Sequence, residues 1–218
     1  MVSTNLLLYN IPTICSMIEE GRFAIPTFRR EFGWPRTEVK NLLESVYKGY
    51  PIGTIIALQE DVDRFNVLSP EKSLFPVPKG GRYNNLWYVI DGAQRLAALY
   101  NSLYSTRKDF QFLFDLETEA FVAEVGSDKS ARFIDLQSLH LPEEPAGFQR
   151  AISERDRADP LFPKVNQLSE TFKRYTVPVQ VLANASLREA LSVFEVINLG
   201  GWPLSKADIE RLQRKQSE

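Results

Sequence analysis

The residue types best suited to chemistry in this chain stand where an apolar run, Leu86-Trp87-Tyr88-Val89-Ile90, meets Asp91-Gly92-Ala93-Gln94-Arg95 and a helical pattern follows at once. A strand that feeds a helix through Asp-Gly gathers backbone N–H groups and the positive end of a helix dipole at one point. Arg95, in the first turn, adds a fixed cation, and phosphate is the common biological anion that such a point holds. Gly92 lets a ligand approach the backbone, and the amides that follow Asp91, Ala93 among them, add donors. Asp91 suits three tasks: capping the helix, holding a Mg²⁺ ion, or orienting a water or ribose. The same five residues equally suit a capped helix after a buried strand, with Arg95 solvated, and alone they do not decide between the two.

Two other stretches carry comparable chemistry. In Phe28-Arg29-Arg30-Glu31-Phe32-Gly33-Trp34, adjacent guanidiniums flanked by aromatics fit phosphates and a stacked base. They also fit an exposed turn anchored by its rings. In Asn198-Leu199-Gly200-Gly201-Trp202, a Gly-Gly turn presents N–H groups at a helix end, to a ligand or merely as a C-cap. No Walker phosphate loop and no dinucleotide fingerprint occurs. The single histidine, His140, is too few for a His-Asn-His nuclease and reads as a surface or capping residue. The single cysteine, Cys15, lies in an apolar helical pattern and reads as inert packing; one cysteine allows neither an internal disulfide nor a cysteine zinc site.

The elements that must position these residues follow from periodicity. Residues 13–20 read as a short helix closed by Gly21, and 22–26 as a short extended segment ended by Pro26. Thr37 caps a helix with Val39, Leu42, Leu43, Val46 and Tyr47 on one stripe, and residues 51–58 read as a buried strand. Residues 60–86, rich in Pro and Gly, read as a loop insertion. The 86–90 strand and 92–104 helix follow, then a hairpin around Glu117-Thr118. Residues 142–160 read as a charged connector, 161–174 as a helix, and 177–182 as a strand in which Pro178 favours an edge or an end. Ser186-Leu187-Arg188-Glu189 has capping-box spacing, repeated at Ser205-Lys206-Ala207-Asp208 before a final helix. The alternation gives a mixed α/β or α+β domain across residues 1–218.

At 218 residues and 44% hydrophobic content, the chain holds enough for one sizeable core; the 25% charged fraction and net charge of −2 do not suggest disorder. A mildly acidic total does not advertise nucleic-acid binding, although a local basic patch fits within it. The first ten residues lack the pattern of a signal peptide, and no run approaches the roughly 18 apolar residues of a membrane span. The expectation is a cytoplasmic protein that does not enter the membrane.

Order and spacing add what single motifs lack. Ile25-Pro26-Thr27-Phe28-Arg29-Arg30-Glu31-Phe32-Gly33-Trp34, Leu42-Leu43-Glu44-Ser45-Val46 with Pro51-Ile52-Gly53, Val89-Ile90-Asp91-Gly92-Ala93-Gln94-Arg95-Leu96, and Phe194 to Ser205 form one series. The series resembles the N-terminal domain family of GmrSD-type restriction endonucleases over about residues 10–210. The resemblance implies a ParB/sulfiredoxin-like fold with a small mixed sheet and additional helices. It implies a nucleoside triphosphate at Asp91, Gly92, Gln94 and Arg95, with Asp91 and Gln94 in catalytic roles. Arg30 and Trp34 would lie nearby, with Asn198 and Gly200 facing the same pocket. It also implies defence against foreign or modified DNA, alongside a nuclease domain or subunit. Two positions depart from the family pattern: Ala93 and Arg29 each stand where the family carries Gln. Each removes an amide that could bond a base, ribose or water, while Arg29 adds a charge for phosphate.

Three functions follow as expectations. The first is a nucleotide-binding sensor of a restriction or antiphage system. The second is a Mg²⁺-dependent triphosphatase or a partner-dependent nuclease component. The third is a DNA- or protein-binding module with a decayed nucleotide site. The polar end of the chain is consistent with a downstream domain or larger partner, and a homo-oligomer fits as well.

Overall fold

The computed structural model describes residues 3–60, 66–77, 86–122, 132–137, 161–186, 188–189 and 192–193. Its elements run β1 (Ser3–Asn10), α1 (Ile11–Glu19), β2 (Phe23–Ala24), α2 (Arg36–Tyr47), β3 (Ile55–Glu60), α3 (Pro70–Ser73), β4 (Leu86–Asp91), α4 (Ala93–Tyr104), a 3₁₀ turn (Lys108–Phe110), β5 (Leu113–Asp115), β6 (Ala120–Val122), β7 (Phe133–Asp135), α5 (Phe162–Arg174) and β8 (Thr176–Ala183). Five strands make one mixed sheet in the order β1-β8-β3-β4-β2, and β6-β5-β7 make a second. The mixed α/β class is as the sequence leads one to expect.

The apolar run of β4 explains the centre of the fold. All five residues from Leu86 to Ile90 are buried, so both faces of the strand are covered. Helices α1, α2, α4 and α5 lie over one face in a common core that includes Trp87 and Val89, while Tyr88, Ile90, Ile56 and Leu58 belong to a second cluster on the other face. α2 contributes Val39, Leu42, Leu43 and Val46, three and four residues apart. α4 is buried almost all round. The small sheet is tied in by aromatic pairs: Tyr47 on Phe114 at 4.7 Å, Phe114 on Phe121 at 4.9 Å, and Phe121 on Phe172 at 6.0 Å between ring centres.

Several local readings differ from the sequence expectation. Thr37 does not cap α2; the helix starts at Arg36, after Pro35, and has no side-chain cap, so Thr37 lies inside the first turn. Residues 51–54 are not strand, because Gly53 sits at φ +83° and β3 begins only at Ile55. β1 has no counterpart in the sequence reading. β8 is not an edge strand, and Pro178 lies within its pairing with β1, opposite Leu8; the proline is accommodated because the ladder with β3, on its other side, begins one residue later, at Val179. The hairpin appears as β5 and β6, with Phe114 opposite Phe121. The capping box is formed as well: Glu189 accepts from the Ser186 N–H at 2.8 Å and from its hydroxyl at 2.7 Å, and Glu189 N–H donates to that hydroxyl oxygen at 3.3 Å. Cys15 is fully buried, and burial pushes its thiol well above the usual range, as inert packing requires.

Candidate functional site

β4 carries Asp91 at its C-terminal end, just past an irregularity. Ile56 of β3 pairs with Asp91, but Ala57 pairs with Val89, so β4 carries one extra residue there. This bulge sits immediately before the chain turns into α4. Gly92 makes the turn at φ +89°, ψ 8°, and caps α4 without any side-chain hydrogen bond. The N-terminus of α4 therefore keeps its dipole uncovered by any capping side chain, which is the local condition for anion binding.

Arg95 is not solvated. Its side chain is 17% exposed, its Nη2 donates to Asp91 Oδ2 at 2.8 Å, and its Nη1 donates to the Ile52 carbonyl at 2.7 Å. The guanidinium lies against Gly53, where a Cβ would fall 2.5 Å from Nη1. Pro51-Ile52-Gly53 is thus bent onto Arg95, and its glycine leaves room for the cation. Arg29 brings a second guanidinium to the same carboxylate, 3.9 Å from Asp91 Oδ1, with 16% of its side chain exposed. Burial lowers the Arg29 pKa; Asp91 counters this, and the adjacent Arg30 adds to the lowering. Arg30 itself is exposed.

Gln94 closes the assembly from the other side. Its Oε1 accepts from Gly33 N–H at 2.8 Å and its Nε2 donates to Glu31 carbonyl at 3.1 Å. One amide thus clamps the 31–33 loop to the first turn of α4. α3 holds the opposite side of that loop: Phe32 N–H donates to Lys72 carbonyl at 2.9 Å, and Lys72 Nζ pairs with Glu31 at 2.8 Å. Gln94→Ala is expected to cost about 1 kcal/mol, the scale of exposed hydrogen bonds, and to speed hydrogen exchange at the Gly33 amide. Unchanged exchange there would show that the clamp does not restrain the loop.

The structure separates two groups that the sequence placed together. Arg29, Asp91 and Arg95 form one cluster. Trp34 instead lines a cleft of about 530 Å³ with Phe32, Phe110, Arg36, Arg107 and Asp109, whose walls include neither Asp91 nor Arg95. Phe32 packs on Phe110 at 5.3 Å, and Arg36 donates to the Asp109 and Gln111 carbonyls, both at 2.6 Å. The clamped loop is the shared wall, since Glu31 lines the cleft while its carbonyl accepts from Gln94. Ala93 is 5% exposed and packs in the core, so its side chain serves the helix and not the surface. Ile52 and Gly53, which complete the cluster, stand out in the sequence only as part of a series. Asn198, Gly200 and His140 lie outside the described residues. Among the described residues, no group of three or more His, Cys, Asp or Glu is placed to hold a metal, and no helix is long and apolar enough to cross a membrane.

Three of the ordered motifs therefore converge: 29–33 through Gln94 and Arg29, 51–53 through Arg95, and 91–95 itself. The profile of the GmrSD restriction endonuclease N-terminal domain matches residues 11–211. The chain belongs to that family. This GmrSD N-terminal domain is also similar to the uncharacterized protein MJ0686 of Methanocaldococcus jannaschii, 27% identical over 121 residues. That match covers 49% of the present chain and 20% of MJ0686, so the domain spans about a fifth of that relative. Membership places the domain in a restriction-system context.

Proposed function

We propose that this domain binds a nucleoside triphosphate at the Asp91–Arg95 junction and signals its occupancy to a nuclease domain or subunit in defence against foreign DNA. The observation that carries the reading is the convergence of the three motifs on the N-terminus of α4, where Arg29 and Arg95 outnumber the one carboxylate between them. Arg30, exposed on the same loop, supplies a cation for phosphates, and the first amides of α4, at Ala93 and Gln94, supply N–H donors.

A Mg²⁺ ion fits only as the companion of a triphosphate. A single carboxylate already paired with Arg95 does not make a free-standing metal site, whereas one carboxylate plus substrate phosphates is a common Mg²⁺ arrangement. When bound, the ion would shield phosphate charge; Asp91 is the residue that would meet it. Binding without turnover is favoured over hydrolysis because Gln94 commits both polar atoms of its amide to the loop. Orienting a water would require that clamp to open.

The test is calorimetry of the native domain with each triphosphate and Mg²⁺, alongside Arg30→Ala, which leaves the buried cluster intact. Native binding that weakens about tenfold in the variant, the scale of one charge-assisted contact, is the expected result. Failure of the native protein to bind any triphosphate overturns the reading. Phosphate release by the native domain would replace the sensor with a triphosphatase. Salt-dependent DNA binding without triphosphate binding would point instead to a DNA-binding module.

A further inference from the structure

β1 is an edge strand of the five-stranded sheet, and among the described residues no strand pairs on its outer side. Its hydrogen-bond parity is fixed by its continuation into α1: Ile11 N–H donates to Tyr175 carbonyl at 3.2 Å, in the same antiparallel register that pairs Asn10 with Thr176 and Leu7 with Val179. Odd-numbered residues of β1 therefore exchange main-chain hydrogen bonds with β8. The N–H and C=O groups of Thr4, Leu6 and Leu8 point the other way, along the open edge. On that strand Leu6 is 64% exposed and Leu8 66% exposed. Ser3–Asn10 contains no charged residue and no proline, so it lacks the devices by which edge strands resist pairing.

We infer that β1 pairs antiparallel with β1 of a second copy of this chain, about a two-fold axis at Leu7, to join two five-stranded sheets into one. Three conditions select this occupant and this register. An antiparallel partner must place side chains of one face opposite the same face, so even residues must meet even residues. The outward main-chain groups are those of the even residues, which is the same requirement. With Leu7 at the axis, Leu6 meets Leu8 of the second copy, and the reverse, while Leu7 meets its own equivalent at the close, non-hydrogen-bonded position. Every leucine then finds leucine, and no like charges meet. A partner of different sequence is not called for by any charge on this edge. Pairing through one eight-residue strand is a smaller contact than the roughly 1,200 Å² typical of stable specific complexes, so the dimer is expected to be weak, dissociating in the micromolar range. This inference does not depend on nucleotide binding.

Sedimentation equilibrium of the native chain across a wide concentration range tests it, beside the double variants Leu6→Lys/Leu8→Lys and Leu6→Glu/Leu8→Glu. Both variants change exposed side chains, and their melting temperatures report that folding is intact. The native chain is expected to self-associate to a dimer, and each variant alone to do so roughly 100-fold more weakly, since cross-strand leucine contacts are replaced by like charges. An equimolar mixture of the two variants is expected to recover dimers, because the lysines of one variant then face the glutamates of the other. A native chain that stays monomeric, or variants that dimerise like the native chain, overturns the inference. So does a mixture that does not recover association when both variants are folded. A Leu7→Cys variant supplies the register: it should crosslink to itself under oxidation, whereas Leu6→Cys should not.

Discussion

Replacing Gly92 with alanine is expected to destabilise the domain by about 3 kcal/mol, the sum of a left-handed backbone penalty and a core clash. Gly92 stands at φ +89°, which L side chains rarely adopt. A Cβ there would also collide with Cδ1 of Ile55, a buried side chain with little room to move, while the Ile55 Cα at 3.4 Å lies at ordinary contact distance. Ile55 is fully buried at the start of β3. Urea denaturation measures the loss, and Ile55→Val separates its causes. Removing the Cδ1 methyl should restore about 1 kcal/mol in the Gly92→Ala background, although it costs about that much in the native one. Additive effects of the two substitutions would show that the clash is not what glycine avoids, leaving only the backbone conformation.

Arg95→Ala is the second large effect. The guanidinium satisfies the Ile52 carbonyl and Asp91 at once, so its loss strands an acceptor and removes the nearer of two cations from a carboxylate whose side chain is 26% exposed. Because the pair is partly exposed, the penalty falls short of that for a buried ion pair: about 2–3 kcal/mol, or roughly 4–12 °C in melting temperature for a chain of this size. Arg95→Lys keeps the charge but cannot reach both acceptors with a planar fork, and should lose about half as much. Thermal melts of the three proteins check the ranking. If lysine and arginine were equivalent, the Ile52 contact would carry no weight. Arg95→Ala weakens the scaffold as well as any anion site, which is why Arg30 is the better probe of binding.

The parts of the fold that are legible in the sequence share a physical cause. β4 can be read because both its faces are buried, which demands an unbroken apolar run; α2 because only one face is buried, which demands three- and four-residue spacing. The Ser186–Glu189 capping box is a local device spelled out within four residues. β1 escapes because an edge strand open to solvent has little reason to alternate: Ser-Thr-Asn-Leu-Leu-Leu-Tyr-Asn has neither the strand nor the helix period. Asp91, Gly92 and Arg95 are visible as a junction, but what Arg95 does there is not. Its partner is a backbone carbonyl, and any residue at position 52 would offer one. Gln94 stands out as a catalytic candidate, yet the two groups its amide meets lie more than 60 residues earlier in the chain. The separation of Trp34 from the Asp91 cluster is likewise a matter of which side of a loop each faces, which spacing does not encode.

The extra residue in β4 opposite the Ile56–Ala57 step has a consequence for how this region tolerates change. Removing the extra residue would leave Asp91 opposite Ile56 in a regular ladder, on the same face, but without the local bend and added twist that the bulge imparts just before the turn into α4. Substitutions along β4 alter how well the cluster is held; a single-codon deletion would shift the aim of the carboxylate and the start of α4 relative to both arginines while leaving every one of its side chains in the gene. The length of this strand is therefore as much an inherited feature of the site as Asp91 itself, and natural variants should differ here in residue type far more readily than in number.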